Sequence, residues 1–381
     1  MNSLELFAGI GGQALALSAT NCKPAAYCEI DPWAQKVLLS NMKQGRLHKA
    51  PIIADVTKLT SKDVKKIHVI SGGFPCQGLS GLGKGLGLYG DERSNLVKHI
   101  YRLVDELKPM HVFLENVPLI MKDVNFKKFI HEFTRRGFKC SFMCLSASQV
   151  GAKHRRRRWF FLASKPNATA FTINTRKERA LKSNFSQVVE KKLIKKKLYE
   201  PVRTCRAFGN SVVPIQALTA LKILAQALKE KVSITKFVDN GAQRPWVVNG
   251  DEYAEWDEYE PLDMKCDGDG FHIIPPTKNN RRLSREQVKK PYKTQCMPTA
   301  TTNPHCCKPS RTISGRSRTE AGTVLVHSPE MYASKMPPFE ERLKLSISPE
   351  FWAMSFGFNK NWISDALVEC HKDRIIKASF L

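Results

Sequence analysis

Through residue 163 the hydrophobic positions fall into two alternating rhythms. Apolar runs with a period of two predict strands, and apolar residues three or four apart predict the helices between them. Ser3 to Phe7 predicts a first strand, closed by the glycine turn Gly9-Ile10-Gly11-Gly12, with a helix over 13–19. Ala25 to Glu29 predicts a second strand. Asp31 then suits an N-cap and Pro32 the first helical position, with Trp33, Val37, Leu38 and Met42 along one face. Ile52-Ile53 and His68 to Ser71 predict the third and fourth strands. Leu96, Ile100, Leu103, Val104 and Leu107 mark a core-facing helix, followed by a strand at 111–115 and two more near 140–145 and 159–163. Strands alternating with helices in this way predict an α/β fold.

Charge changes the picture after that point. Sixty-one Lys and Arg against 35 Asp and Glu leave a net charge of +26 over 381 residues. A field of that size suits a polyanion, and nucleic acid leads the candidates. Between Gln149 and Arg206 there are 17 Lys or Arg and 3 Glu, so 164–206 reads as a solvated or DNA-facing connection. The stretch 214–228 is strongly helical and opens on Pro214. Beyond about 230 the pattern becomes irregular, with seven acids in 251–263 and a basic stretch rich in Pro, Thr, Ser and Cys at 277–318. A boundary near 230 is expected, dividing 1–230 from 231–381.

Composition excludes several classes. Hydrophobic residues at 42% and charged ones at 25% rule out wholesale disorder. No run of 18 or more apolar residues predicts a membrane-crossing helix. The start MNSLELFAGI carries Glu5 in its apolar stretch and no basic segment before it, so no secretory signal is read. The expected location is intracellular, cytoplasmic or nuclear. Eleven cysteines without such a signal suggest reduced thiols, and Cys140 and Cys144 are expected in strands as core residues. His305-Cys306-Cys307 lies nine residues from Cys296 with no C-x-x-C pair anywhere, so no metal is expected.

Five segments carry chemistry. A glycine turn after the first strand and an acid ending the second, here Glu29, is how α/β folds hold a nucleoside. The turn is not a spaced G-x-G-x-x-G, and no Walker lysine is present. Gly72-Gly73-Phe74-Pro75-Cys76-Gln77-Gly78 follows the fourth strand and puts a thiol on a loop at the carboxyl edge of the sheet, where ligands of such folds bind. Glycines and a proline around Cys76 argue against its burial as a small hydrophobe. Strand 111–115 brings Glu115 to the same edge, followed by Asn116-Val117-Pro118. Arg155 to Arg158 lead into the last strand, and Gly209-Asn210-Ser211-Val212-Val213 precedes the helix at Pro214.

The ordered set FAGIGG, EIDPWA, ADVTKL, GFPCQGLS, ENVP, VGAKHRRRRWFFLA and GNSVVP resembles the successive blocks of the DNA cytosine-5 methyltransferases, over about residues 3–228. Leu345 to Phe358 is similar to the family's penultimate block. Two departures stand out. The variable region follows GNSV, at about 231–345, an arrangement similar to that of some enzymes from large DNA viruses of algae. His154 stands where the family usually has Gln, while the block's two arginines fall on Arg156 and Arg158.

The resemblance implies a Rossmann-like, S-adenosylmethionine-dependent methyltransferase fold with a second, smaller target-recognition domain. Residues 1–230 would bind the donor and catalyse. Residues 231–381 would recognise the target and return to the catalytic domain. The implied reaction moves a methyl group to carbon 5 of a cytosine flipped from a specific duplex DNA sequence, through a covalent Cys76 adduct. Glu115 would protonate ring nitrogen 3, Arg156 would polarise the base carbonyl and steady the nucleophile loop, and Arg158 completes the catalytic set. For the donor, the resemblance sets Phe7 against adenine, Glu29 on the ribose, and Asp55 with Val56 at the adenine edge. Gly9, Gly11, Gly12, Asn210 and Val212 would line the methionine end, and Pro75 and Leu96 complete the lining. A monomer is expected. Two alternatives stay open: an RNA cytosine-5 methyltransferase on the same fold, and an inactive DNA-binding relative, against which the intact Cys76, Glu115 and Arg156 argue.

Overall fold

The computed structural model describes residues 1–75, 88, 96–152, 154–186, 193–195, 201–230, 246–248, 264–267, 270–273 and 345–367. The nucleophile candidate Cys76, the triplet His305-Cys306-Cys307 and nearly all of 231–344 lie outside these residues.

An eight-stranded sheet is built from β1 (Asn2–Leu6), β2 (Lys23–Cys28), β3 (Ile52–Ile53), β4 (Val69–Gly72), β5 (His111–Asn116), β6 (Lys139–Ser146), β7 (Arg157–Ser164) and β9 (Trp246–Val248), in the order β3-β2-β1-β4-β5-β7-β6-β9. The pairs β3–β2, β2–β1, β1–β4 and β4–β5 are parallel, whereas β7 is antiparallel to both β5 and β6. The order 3-2-1-4-5 is that of a doubly wound sheet, whose ligand crevice opens between the strands on either side of the order reversal, here β1 and β4.

Both faces of the sheet are apolar, as a covered parallel sheet requires. Val112, Leu114, Trp159 and Phe161 point to one side with Cys140 and Cys144. That side is covered by α3 (Val97–Leu107) and α4 (Phe126–Thr134). Phe113, Phe160 and Leu162 point to the other, under α1 (Gly12–Leu17), α2 (Pro32–Lys43) and α7 (Pro214–Glu230). Helix α4 was not anticipated. Its Phe126, Phe129, Ile130 and Phe133 are buried at helical spacing, but it is only 9 residues long.

The segment 164–206 proves to be more than a solvated connection. It contains α5 (Thr175–Ser186), β8 (Leu193–Lys195) and most of α6 (Pro201–Asn210). Leu181 of α5 is buried, and Glu178 accepts a bond of 2.9 Å from Lys222 on α7, so the charges of this segment are partly tied to the fold. After a separate ribbon of β10 (Met264–Asp267) and β11 (Gly270–Ile273), β12 (Leu345–Ile347) pairs antiparallel with β8. The short helix α8 (Pro349–Ser355) follows, capped by Ser348. Trp352, Phe356 and Trp362 join the same apolar cluster as Leu17 and Phe208. Strand β9, beyond the boundary expected near 230, adds an edge strand to the same sheet. Arg203–Lys229 is apolar and long enough to cross a membrane. It is, however, interrupted between α6 and α7, and α7 packs on β6 and β7.

Candidate active site

At the carboxyl end of β1 the backbone turns through left-handed conformations at Phe7, Gly9 and Gly11, with φ of 51°, 54° and 88°. This brings the Gly9 amide to Glu29, just past β2. Gly9 N donates to Oε2 at 2.6 Å and Asp31 N donates to Oε1 at 2.9 Å. Both carboxylate oxygens are thus aimed by backbone, and each keeps acceptor capacity for a ligand. Burial raises the Glu29 pKa, and these backbone donors oppose the rise. A Cβ placed on Gly9 would meet nothing within 4 Å. Gly11 and Gly12 serve packing instead. A Cβ there would lie 2.7 Å from Leu47 Cδ1 and 2.6 Å from the Val212 carbonyl oxygen, respectively. The glycine turn is thereby pressed onto the Ser211-Val212 segment, with Val212 buried and Asn210 exposed.

Asp55 accepts from both Thr57 N (2.9 Å) and Thr57 Oγ1 (2.7 Å), which lowers its pKa. Val56 is buried, and Arg102 Nη2 donates to its carbonyl at 2.9 Å. Leu96, capping α3, packs on the same core. Ile30, which no motif singled out, is 75% exposed immediately after Glu29.

The second half of the site lies across the crevice. Beyond β4, Phe74 is buried and stacks on Phe129 at 5.9 Å, while Asn116 Nδ2 donates to the Phe74 carbonyl at 3.3 Å. This bond ties Phe74, two residues before Cys76, to the end of β5. Next to Asn116, Glu115 is buried with Oε1 2.9 Å from Arg158 Nε. Burial raises the pKa of Glu115, and Arg158 and Arg156 counter it. Its other oxygen, Oε2, lies where a Cβ on Gly73 would sit, 2.7 Å away.

The two arginines are used differently. The resemblance gave Arg156 the place beside the base. The geometry gives the place beside Glu115 to Arg158. Arg156 is buried at a φ of 25°, and its Nη2 donates to the Gly209 carbonyl at 2.8 Å and to the Ser211 carbonyl. Arg158 Nη2 reaches the same Gly209 carbonyl at 3.5 Å. Burial, then the charge of Arg158, lowers the Arg156 pKa. Gln216 of α7 donates to the Arg156 and Leu145 carbonyls at 2.8 and 2.7 Å, fixing the entry to β7 against β6. Neither Gln216 nor Gly73 had been assigned a role; only the fold brings them to the arginines and to Glu115.

Among the described residues, Cys22, Cys28, Cys140, Cys144 and Cys205 are all buried. Burial pushes Cys22 and Cys144 up to about 11 and Cys28 up to about 12, which leaves them as thiols at neutral pH.

A doubly wound sheet with an aimed acid on one side of its crevice and a buried carboxyl–guanidinium pair on the other defines an α/β enzyme with two adjoining sites. The chain belongs to the C-5 cytosine-specific DNA methylase family, whose profile matches residues 1–304. It is 30% identical over 331 residues to the type II methyltransferase M.CviJI of Paramecium bursaria Chlorella virus IL3A, covering 80% of this chain and 85% of that one. It is 33% identical over 172 residues to M.NgoMIV of Neisseria gonorrhoeae, covering 44% of this chain and 53% of that one. Among solved structures, the Entamoeba histolytica methyltransferase EhMeth is 23% identical with a TM-score of 0.39, covering 45% of this chain and 55% of that one. The match thus spans most of the viral relative and about half of the other two.

Proposed function

We propose that this protein transfers a methyl group from S-adenosylmethionine to carbon 5 of a cytosine in duplex DNA. The observation that carries the reading is the buried Glu115–Arg158 pair set against Gly73, three residues before Cys76, in a chain of this family.

The residues at the β1 turn fit the donor. Glu29, with both oxygens aimed by backbone amides, would accept from the ribose hydroxyls. Asp55 would accept from the adenine amino group, and Phe7, Ile30, Val56 and Leu96 would flank the ring. Gly9, in open space, would let the methionine portion approach the backbone, with Pro75, Asn210 and Val212 around it. Gly11 and Gly12 would hold this wall in place from behind. The donor supplies an electrophilic sulfonium methyl.

Carbon 5 of cytosine is a poor nucleophile. Addition of the Cys76 thiolate to carbon 6 would make the ring an enamine whose carbon 5 can attack the methyl. Glu115, whose pKa burial raises against the pull of Arg158 and Arg156, would protonate or hydrogen-bond ring nitrogen 3 as negative charge develops there. Arg158 would hold that carboxyl in place and face the base carbonyl. As carbon 5 takes the methyl, the donor's sulfur–methyl bond breaks and leaves a neutral thioether. A base then removes the carbon 5 proton, carbon 6 releases the thiolate, and nitrogen 3 gives up any proton it received to Glu115, restoring the aromatic ring. Ring atoms are out of reach inside a duplex, so the cytosine must be flipped out.

The test uses full-length protein, labelled donor, and both duplex DNA and RNA. Label in 5-methylcytosine of DNA alone is expected, as is a covalent adduct with DNA bearing 5-fluorocytosine, whose fluorine cannot leave as a proton. Cys76→Ala should abolish both while DNA binding survives, because phosphate contacts supply much of the affinity. Label in RNA alone, or turnover by Cys76→Ala near the wild-type rate, would overturn the reading.

A further inference from the structure

The family pattern gives no role to His154, and the reaction above makes no use of it. It sits on the turn into β7 and is 3% exposed. Its Nε2 lies 2.9 Å from the carbonyl oxygen of Ser355, the last residue of α8. Its ring packs on Phe356 with centroids 4.9 Å apart, and the Arg156 guanidinium lies over the same Phe356 ring at 5.0 Å. Two residues of one strand entry thus grip one aromatic side chain of the C-terminal return. Phe356 is itself 1% exposed and contacts Phe208 of α6 at 5.3 Å.

A core position of this kind could be filled by Leu or Phe at no polar cost. The imidazole instead leaves Nδ1 buried without a partner among the described residues. What it gains is the bond to Ser355, a carbonyl in the last turn of a helix, where no intrahelical donor is available. Burial and the neighbouring charges of Arg156 and Arg158 push His154 down to about 4, so the ring is neutral at pH 7. Its single proton belongs on Nε2, which faces an acceptor.

We propose that His154 is a positioning residue of the base pocket: with Arg156 it clasps Phe356 and holds the C-terminal return against the strand that presents Arg158 to Glu115. The path is short. Phe356 fixes one face of Arg156. Arg156 and Arg158 share the Gly209 carbonyl, and Arg158 pairs with Glu115. If Phe356 shifts, Arg156 and then Arg158 lose their register on that carbonyl, and the carboxyl beside the base loses its partner. The inference rests on the methyltransferase reading of this pocket.

The test measures kcat and both KM values for methyl transfer by full-length His154→Leu, His154→Gln, Phe356→Leu and the double variant His154→Leu/Phe356→Leu, with melting temperatures alongside. His154→Leu should lower kcat about tenfold or more while both KM values stay within about twofold. His154→Gln keeps an N–H that can reach the Ser355 carbonyl, so it should stay within about threefold of wild type. Phe356→Leu should show the kcat loss of His154→Leu, and the double variant should be no worse than the poorer single one. Wild-type kcat in His154→Leu, equal losses in the Leu and Gln variants, or multiplying losses in the double variant would overturn the proposal. Should His154→Leu not fold, wild-type kcat in Phe356→Leu overturns it equally. A wild-type protein that methylates no cytosine would instead sink the underlying reading.

Discussion

Glu115 Oε2 fills the space that a side chain at Gly73 would need: a Cβ there would lie 2.7 Å from it. With Oε1 held by Arg158, the carboxyl group is fixed from both sides. Gly73 is not among the residues with positive φ, so its backbone alone does not demand glycine. The space beside Glu115 does.

Gly73→Ala is therefore expected to fold and to bind donor normally while displacing the Glu115 carboxyl. Turnover should fall by about 10- to 100-fold, the range of a misplaced acid–base group. The pH dependence of kcat should shift as well, because moving Oε2 changes the burial that raises the Glu115 pKa. Steady-state kinetics across pH 5.5–9 checks this, and a wild-type profile in Gly73→Ala would show that the contact is idle.

Arg158 and Arg156 should separate when each is changed to Lys, which cannot reproduce a planar fork. Arg158→Lys should cost about 100-fold or more in kcat, as loss of an oriented donor at a reacting group does, with little change in melting temperature. Arg156→Lys strips donors from two backbone carbonyls in the core, so it should destabilise by about 1–3 kcal/mol. If Arg156→Lys proves the stable, inactive one, the roles assigned by geometry are reversed.

Replacing Glu29 tests the donor half. Glu29→Ala removes an acceptor and orphans the Gly9 and Asp31 amides, so donor affinity should weaken by about 1.5–3 kcal/mol, roughly 10- to 150-fold. Glu29→Gln should be little better, since its amide must point N–H toward one of those N–H groups. Calorimetric titration with donor or its demethylated product measures the loss, and unchanged affinity in both variants would remove Glu29 from the ribose.

Local chemistry was legible in the sequence; assembly was not. Asp31 caps α2 through its side chain, accepting from Trp33 N at 2.9 Å, as its position before Pro32 suggested. Trp159 to Leu162 read as a strand because alternate residues face two apolar layers. Nothing local, however, told that β7 would insert antiparallel between β5 and β6. That insertion sets Glu115 opposite Phe160 and Asn116 opposite Trp159, so the next residue along β7, Arg158, reaches the carboxyl rather than Arg156. Arg156, at a φ of 25°, lies just before β7, so only Arg158 follows the strand's register toward the carboxyl. The helix α5 was hidden for another reason. Its charged residues outnumber its apolar ones, and Leu181 is buried only because α5 packs on α7.

Glu5 offers a test of the fold itself. It lies in the middle of β1, 1% exposed, accepting from Ser3 Oγ at 2.5 Å. Burial pushes its pKa up to about 7. The folded protein keeps a proton that the unfolded chain releases near pH 4–5. Stability from that proton is complete below this range and is lost as pH rises through about 7. Glu5→Gln keeps the acceptor for Ser3 and has no proton to lose. It should be more stable than wild type by up to about 3 kcal/mol at pH 8.5, with the gap shrinking toward pH 5. Urea midpoints of both proteins at the two pH values give the comparison. A gap of the same size at both would mean that Glu5 does not titrate in the fold and that another acceptor or donor sets its charge.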